Sequence, residues 1–160
     1  MSFGFQANMS EQQLFGGAFT VTLPEARNDM SVVRQIPDNQ EVFVHPGTDQ
    51  SIIIELMEAV DSQQPDEHAI RAESCWYILG EQNISKFNEA AKNSVEIHMG
   101  LLRVPKYTTD ILITFNDPIN ISLDSSSHQP VATSTVRWHS GDFRTALTTL
   151  TLQDPGIFGV

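Results

Sequence analysis

Val95-Glu96-Ile97-His98-Met99-Gly100-Leu101-Leu102-Arg103-Val104-Pro105-Lys106-Tyr107-Thr108-Thr109-Asp110-Ile111-Leu112-Ile113-Thr114-Phe115 is the stretch that decides the fold. In its first half Val95, Ile97, Met99 and Leu101 alternate with Glu96, His98 and Gly100, the two-residue period of a strand that buries one face. In its second half Ile111, Ile113 and Phe115 repeat that period, and the strand runs on to Asn116. Pro105 to Thr109 leaves room only for a turn, so the two runs are predicted to lie antiparallel as a hairpin. The alternation puts Val95, Ile97, Met99 and Leu101 in the core and leaves His98 at the surface or an edge.

Working outward, Gly17 to Leu23 sets Phe19, Val21 and Leu23 against Thr20 and Thr22 and ends at Pro24, which reads as another half-buried strand. Gln40 to Val44 is a short strand between Pro37 and Pro46, and Cys75 to Leu79 a further one that can continue past Gly80 towards Ile84. After Thr48 or Asp49 the period changes. Ile52, Ile53, Leu56, Met57 and Val60 recur at helical spacing, which predicts an amphipathic helix held by packing, because its β-branched run is a poor helix former. Ser140 is placed to cap a second helix with Asp142 in its first turn and Phe143, Leu147 and Leu150 as its buried stripe. Pro118 to Pro130 is polar and loop-like. Asp154-Pro155-Gly156 ends any continuation, and Ile157 and Phe158 are expected to dock the tail. Antiparallel strands with amphipathic helices laid on them make an α+β domain.

The 160 residues suit one core and are too few for two typical domains. The expected division is a flexible arm over residues 1–13, polar and without the basic-then-apolar order of a secretory signal, followed by a single domain over 14–160. Ile52-Ile53-Ile54 and Ile111-Leu112-Ile113 are the longest apolar runs, far short of the roughly 20 residues of a membrane helix. Cys75 is the only cysteine, so no internal disulfide forms; beside Trp76 it reads as a buried thiol rather than a nucleophile.

Net charge is −11, and it is uneven. Between Asp38 and Glu73 stand nine carboxylates (Asp38, Glu41, Asp49, Glu55, Glu58, Asp61, Asp66, Glu67 and Glu73) against Arg71 alone, a segment of net −8. Such a field repels nucleic acid and anionic lipid and favours a basic partner, although acidity for solubility accounts for the charge equally well. Phosphate-binding glycine loops, zinc-type Cys/His spacing and a GxSxG elbow are absent from the sequence, so no cofactor and no catalytic constellation is expected. His45, before Pro46, is expected at a strand end with a backbone partner. Read as a helix, Ile52–Val60 would place Glu55 and Glu58 side by side on one exposed face with no basic residue at i±3 or i±4 to relieve them, which suits a surface that meets a basic partner as well as it suits a solvated face. Pro37-Asp38-Asn39-Gln40-Glu41-Val42-Phe43 adds two acids and two amides where a turn feeds a strand.

These residues resemble a known family. Leu14-Phe15-Gly16-Gly17-Ala18-Phe19, Ile36-Pro37-Asp38-Asn39-Gln40-Glu41-Val42-Phe43, His45-Pro46, Thr48-Asp49-Gln50-Ser51-Ile52-Ile53-Ile54-Glu55-Leu56-Met57-Glu58, Leu101-Leu102-Arg103-Val104-Pro105, Gly141-Asp142-Phe143 and Ile157-Phe158-Gly159 stand in the order found in the Ran guanine nucleotide release factors, the Mog family. The resemblance implies a PsbP-like α/β/α sandwich around an antiparallel sheet. It implies a monomeric, non-catalytic protein of nucleus and cytoplasm that binds the GTPase Ran and promotes release of its nucleotide. It also implies that Glu55 and Glu58, with Asp38, Asn39, Gln40, Glu41 and Asp49 around them, form the Ran-binding surface. One departure stands out: family members carry an aromatic-rich strand and connector ahead of the strand at Trp76, where this chain has only Asp61 to Glu73, so one family strand is expected to be missing. The competing readings are a small-ligand or hydrolytic domain with Asp38, Glu41 and His45 lining a pocket, and an acidic adaptor for a basic partner other than Ran.

Overall fold

A computed structural model describes residues 7–59, 75–84, 93–120 and 136–159. Strands β1 (Met9–Leu14) and β2 (Phe19–Pro24) pair antiparallel, and a two-residue strand, β9 (Thr151–Leu152), joins the other edge of β2. The larger sheet has the order β3-β4-β5-β8-β7-β6 and every pairing in it is antiparallel. Its strands are β3 (Asn28–Asp29), β4 (Gln40–Val44), β5 (Ser51–Glu58), β6 (Cys75–Ile84), β7 (Asn93–Val104) and β8 (Thr109–Asn120). Helix α1 (Ser140–Thr149) packs on the same side of this sheet as β2. The α+β class therefore stands.

The hairpin of β7 and β8 is as the sequence predicts, turning through a 3-10 turn at Pro105–Tyr107 with Thr108 at φ +52°. The buried face of β7 is the reverse of the expected one. Leu102, Gly100 and His98 pair with Ile111, Ile113 and Phe115, and directly paired residues share a face, so these three look into the core. His98 is only 2% exposed. Val95, Ile97, Met99 and Leu101 lie on the opposite face, half-buried. Gly100 explains the inversion: an added Cβ there would stand 2.2 Å from Leu147 Cδ2, so the glycine is the notch that lets α1 settle on the sheet.

Residues 51–58 are a strand, and the amphipathic helix expected from Ile52 to Val60 does not form there; Val60 itself lies outside the described residues. β5 lies between β4 and β8, with Ile52 and Ile54 buried on the core side and Ile53 half-buried on the other. A strand apolar on both faces loses the two-residue period and mimics a helical spacing, while three consecutive isoleucines favour the pleated backbone. The arm expected through Gln13 likewise becomes β1 from Met9 onward. Its backbone pairs with β2, and Arg27 fastens the end of that pair, donating to Ser10 Oγ (2.9 Å), Gln12 Oε1 (3.0 Å) and the Pro24 carbonyl (2.7 Å).

α1 starts one residue earlier than a Ser140 cap would place it. His139 is the cap residue, and its N–H donates to Asp142 Oδ2 at 2.8 Å. Phe143 and Ala146 are fully buried, with Leu147 and Leu150 at the margin. The tail docks as expected: Phe158 stacks on Tyr107 (centroids 4.3 Å apart) and meets Phe19 edge-on. The core gathers Leu14, Phe19, Val21 and Leu23 from the small sheet, Phe43, Ile52, Ile54, Ile111, Ile113 and Phe115 from the large one, and Trp138, Phe143 and Ala146. Each such side chain contributes on the order of 1.5–3 kcal/mol by leaving water. The loop expected over Pro118 to Pro130 begins late, because β8 continues to Asn120. Pro118 is tolerated where β5 no longer flanks β8, opposite an irregularity at Ser94/Val95. Residues 61–73, where a family strand was expected to be missing, lie outside the described residues, as do 121–130.

The notch at Gly100 is testable. Gly100→Ala should destabilise the fold by about 1–3 kcal/mol through overpacking, and Leu147→Ala in the same chain should remove most of that penalty. Denaturant unfolding of the two single variants and the double variant measures the coupling; additive losses would mean that Gly100 does not seat Leu147.

Candidate functional site

The turn at Asp38–Asn39 and the end of β5 are knit together by backbone and side chains. Leu56 N–H donates to the Asn39 carbonyl (2.8 Å), and Asn39 Nδ2 donates back to the Leu56 carbonyl (3.1 Å). Gln40 stands opposite Glu55 in the ladder, and its Nε2 donates to Glu55 Oε2 at 3.1 Å. Asp38, Asn39, Gln40, Glu55 and Glu58 thus gather at one end of the large sheet, Asp38, Asn39 and Glu58 exposed and Gln40 and Glu55 half-buried. Neither Glu55 nor Glu58 takes part in the ion pairs among the described residues, which join Glu96 to His98, Asp110 to Arg103 and Asp117 to Arg137.

The strand changes how the two glutamates relate. Three residues apart on a helix they would be neighbours; three apart on a strand they point to opposite faces, about 10 Å from each other along the chain. Glu55 shares the outer face with Gln40, Leu112 and Leu101. Glu58 shares the other face with Thr109 and sits on an open groove of about 350 Å³, lined with Leu56, Met57, Tyr107, Thr108, Ile157 and Phe158. The single acidic stripe expected from sequence is therefore two carboxylates flanking the sheet end.

Two of the expected residues do not join this end. Asp49 lies in the Pro46–Gln50 turn at the far end of the β4–β5 hairpin, about 20 Å from Glu55 by the rise of a strand. Glu41 points inward, its Oε1 accepting from the Phe15 N–H at 2.7 Å. Phe15 (φ +52°), Gly16 (φ +68°) and Gly17 (φ +94°) form a left-handed corner between β1 and β2, and the Glu41 carboxylate holds it. Burial raises the Glu41 pKa above the usual glutamate value, the Phe15 hydrogen bond opposes the rise and nearby Asp29 adds to it.

His45 has the backbone partners expected of it. Its Nδ1 accepts from Gly47 N–H (2.9 Å), so Nε2 carries the proton and donates to the Val136 carbonyl (2.7 Å), with Trp138 packed edge-on. Asp38, Glu41 and His45 therefore do not converge on a pocket, and none of them lines the groove at Glu58. Gln50, fully buried, closes the same hairpin by donating to the Trp138 carbonyl and Asp117 Oδ1 and accepting from Trp138 N–H. The sequence reading missed a polar row centred on the buried His98. Tyr77 Oη hydrogen-bonds His98 Nδ1, and His98 Nε2 donates to Glu96 Oε1 at 2.7 Å, with Phe115 stacked on the imidazole and Phe143 beside it. The signal was the glycine two residues from His98, which marks the face that another element approaches.

Fold and site together define an α+β module whose antiparallel sheet presents carboxylates and amides at one end. A family model, Ran-interacting Mog1 protein, matches residues 12–73 and 70–118, and the chain belongs to that family. Relatives include the Ran guanine nucleotide release factors of Danio rerio (41% identical; 91% of this chain, 98% of the relative) and Homo sapiens (40% identical; 91% and 95%). The fold is that of the crystal structure of the Saccharomyces cerevisiae Ran-binding protein Mog1p, at 23% identity and a TM-score of 0.69 over 96% of this chain and 100% of that one. The zebrafish alignment spans 181 positions, more than the 160 residues of this chain, so that relative has residues for which this chain has none. The two matched pieces of the family model meet at residues 70–73, directly before β6.

The role of Glu41 predicts a pH dependence. A carboxyl whose folded pKa is raised stabilises fully below its unfolded pKa, and that stability is lost as pH rises through the folded value. Glu41→Gln keeps an acceptor for Phe15 N–H and removes the titration. Wild type should therefore lose stability relative to Glu41→Gln between about pH 4 and pH 7; urea melts at both pH values measure this, and a constant difference would contradict it.

Proposed function

We propose that this protein binds the GTPase Ran and promotes release of its guanine nucleotide, in support of nuclear protein import, through the sheet end formed by Asp38, Asn39, Gln40, Glu55 and Glu58. The observation that carries the reading is the pair of carboxylates flanking that end with no basic partner among the described residues, in a chain whose relatives bear the name Ran guanine nucleotide release factor. It acts by binding, without covalent chemistry, and it works in nucleus and cytoplasm.

A GTPase holds its nucleotide's phosphates with a lysine-bearing loop and Mg²⁺. When nucleotide leaves, those cationic groups lose their counter-charge. Carboxylates presented at that moment pair with them and stabilise the empty form, each contact contributing about 1–3 kcal/mol as a charge-assisted hydrogen bond. Release follows only because the empty state is bound more tightly than the loaded one; equal affinity would release nothing. With Glu55 and Glu58 on opposite faces, the partner surface embraces the end of the sheet.

Alanine at both Glu55 and Glu58 should slow nucleotide release from purified Ran about tenfold or more with little change in thermal stability. Because the two side chains stand apart on opposite faces, the single-variant losses should multiply to give the double-variant loss. Asp49→Ala, equal in charge but at the far end of the hairpin, should change release less than about twofold. If Asp49→Ala costs as much as Glu55→Ala or Glu58→Ala, a diffuse acidic field and not this sheet end drives release.

A further inference from the structure

β6 ends the large sheet, and among the described residues nothing pairs with its second edge. Natural edge strands are blunted by lysines, prolines, bulges or short length. β6 has ten residues, pairs with β7 without an irregularity and contains neither lysine nor proline; Glu81 is its one charged residue. From Trp76 to Leu79 its side chains are apolar on both faces. Trp76 (50% exposed) and Ile78 (63%) stand on the outer face, Tyr77 (39%) and Leu79 (55%) on the face that carries α1. A ten-residue strand with a single charge, and no partner at its second edge among the described residues, is a template for another strand.

We propose that the edge of β6 left unpaired among the described residues is a homodimer interface, at which a second copy of this chain adds its own β6 antiparallel about a two-fold axis at Ile78. The chemistry selects a second copy because the strand is self-complementary. With the axis at Ile78, antiparallel pairing keeps both faces in register and places Ile78 opposite Ile78 of the second copy, Trp76 opposite its Gly80 and Tyr77 opposite its Leu79. No charged residue of the strand itself lies between Trp76 and Gly80, the guanidinium groups of Arg103 and Arg144 lie over the Trp76 and Tyr77 rings, and Gly80 has open space where the indole arrives. The four side chains offer roughly 400 Å² of exposed apolar surface per copy, about half of what a standard interface buries on one side. That area, with the added ladder of hydrogen bonds, fits a weak dimer that forms in the micromolar range or above. Two chains of net −11 repel at long range, so salt should strengthen this contact while it weakens association with a basic partner. The monomer expected from the resemblance is the opposing outcome.

Sedimentation equilibrium of the full chain from about 10 µM to 1 mM is the test. The expected result is a concentration-dependent dimer whose apparent Kd falls at least threefold between about 50 mM and 500 mM NaCl. Ile78→Lys and Ile78→Glu, each placing like charges across the axis, should be monomeric over the same range, and an equimolar mixture of the two should form a heterodimer. Val33→Lys, at an equally exposed apolar residue elsewhere (69% exposed), should dimerise as wild type does. A wild-type monomer up to 1 mM, a dimer weakened by salt, a dimer lost equally in Val33→Lys, or a mixture that stays monomeric would each overturn the proposal. The wild-type salt series decides the matter even where an Ile78 variant fails to fold.

Discussion

β5 must be a strand with neighbours on both sides, and most of the molecule follows from that constraint. Ile52 and Ile54 are fully buried towards α1 and the small sheet, while Ile53 is half-buried on the other face. Only an interior position covers both sets, and β4 and β8 supply it. Pairing with β4 draws the Asp38–Asn39 turn onto the end of β5 through the reciprocal Asn39–Leu56 bonds. Pairing with β8 sets Ile54 against Ile113 and Ile52 against Phe115, and with them the floor on which Phe143 lies. A one-residue slip would exchange the buried and exposed sets of the whole strand, so the register is strongly specified. The same register decides that Glu55 faces one side of the sheet and Glu58 the other.

What could be read from the sequence divides along a physical line. Strands that bury one face announced themselves, as Phe19, Val21 and Leu23 did in β2 and Ile111, Ile113 and Phe115 did in β8. Strands apolar on both faces were read less fully: β6 and β7 were recognised as strands, but β5 was not. In β5 the loss of period produced a helix, and in β7 the bulkier Val95, Ile97, Met99 and Leu101 drew the core to the wrong side. There the true core face uses Gly100 and His98, one without a side chain and one polar, because α1 comes close and a hydrogen-bonded row from Tyr77 to Glu96 satisfies the imidazole. Hydrophobicity alone does not encode a notch. The candidate site was legible as composition, since acids and amides crowd the turn and strand around Asp38 and Glu55. Its geometry was not, because the spacing of two carboxylates carries opposite meanings on a helix and on a strand.

Glu41 shows that nearness in sequence does not place a carboxylate at the acidic end of the sheet. It lies in the sequence among the residues of the acidic end, beside Gln40, yet its carboxylate is turned inward to hold the left-handed corner at Phe15. Nothing is gained by offering a partner a group that the fold already uses, and withdrawing it would leave the Phe15 N–H without its acceptor. Asp49 stands apart from that end by distance, as Glu41 does by orientation. What remains, Asp38, Glu55 and Glu58 with two amides, is smaller than the acidic segment but better placed, because its members share one end of a rigid sheet.

The two ends of the strand order carry opposite chemistry, and the sheet keeps them apart. From β4 to β6 there are four inter-strand steps, about 19 Å at the usual spacing. The carboxylates near β4 and β5 attract basic surfaces over a distance comparable to the Debye length, whereas the apolar face of β6 acts only on contact. A partner embracing the acidic end therefore leaves the far edge open, and a strand added at β6 lies well away from Glu58. Lengthening the sheet across the two-fold axis would put the two acidic ends at its opposite extremes, where their mutual repulsion is weakest.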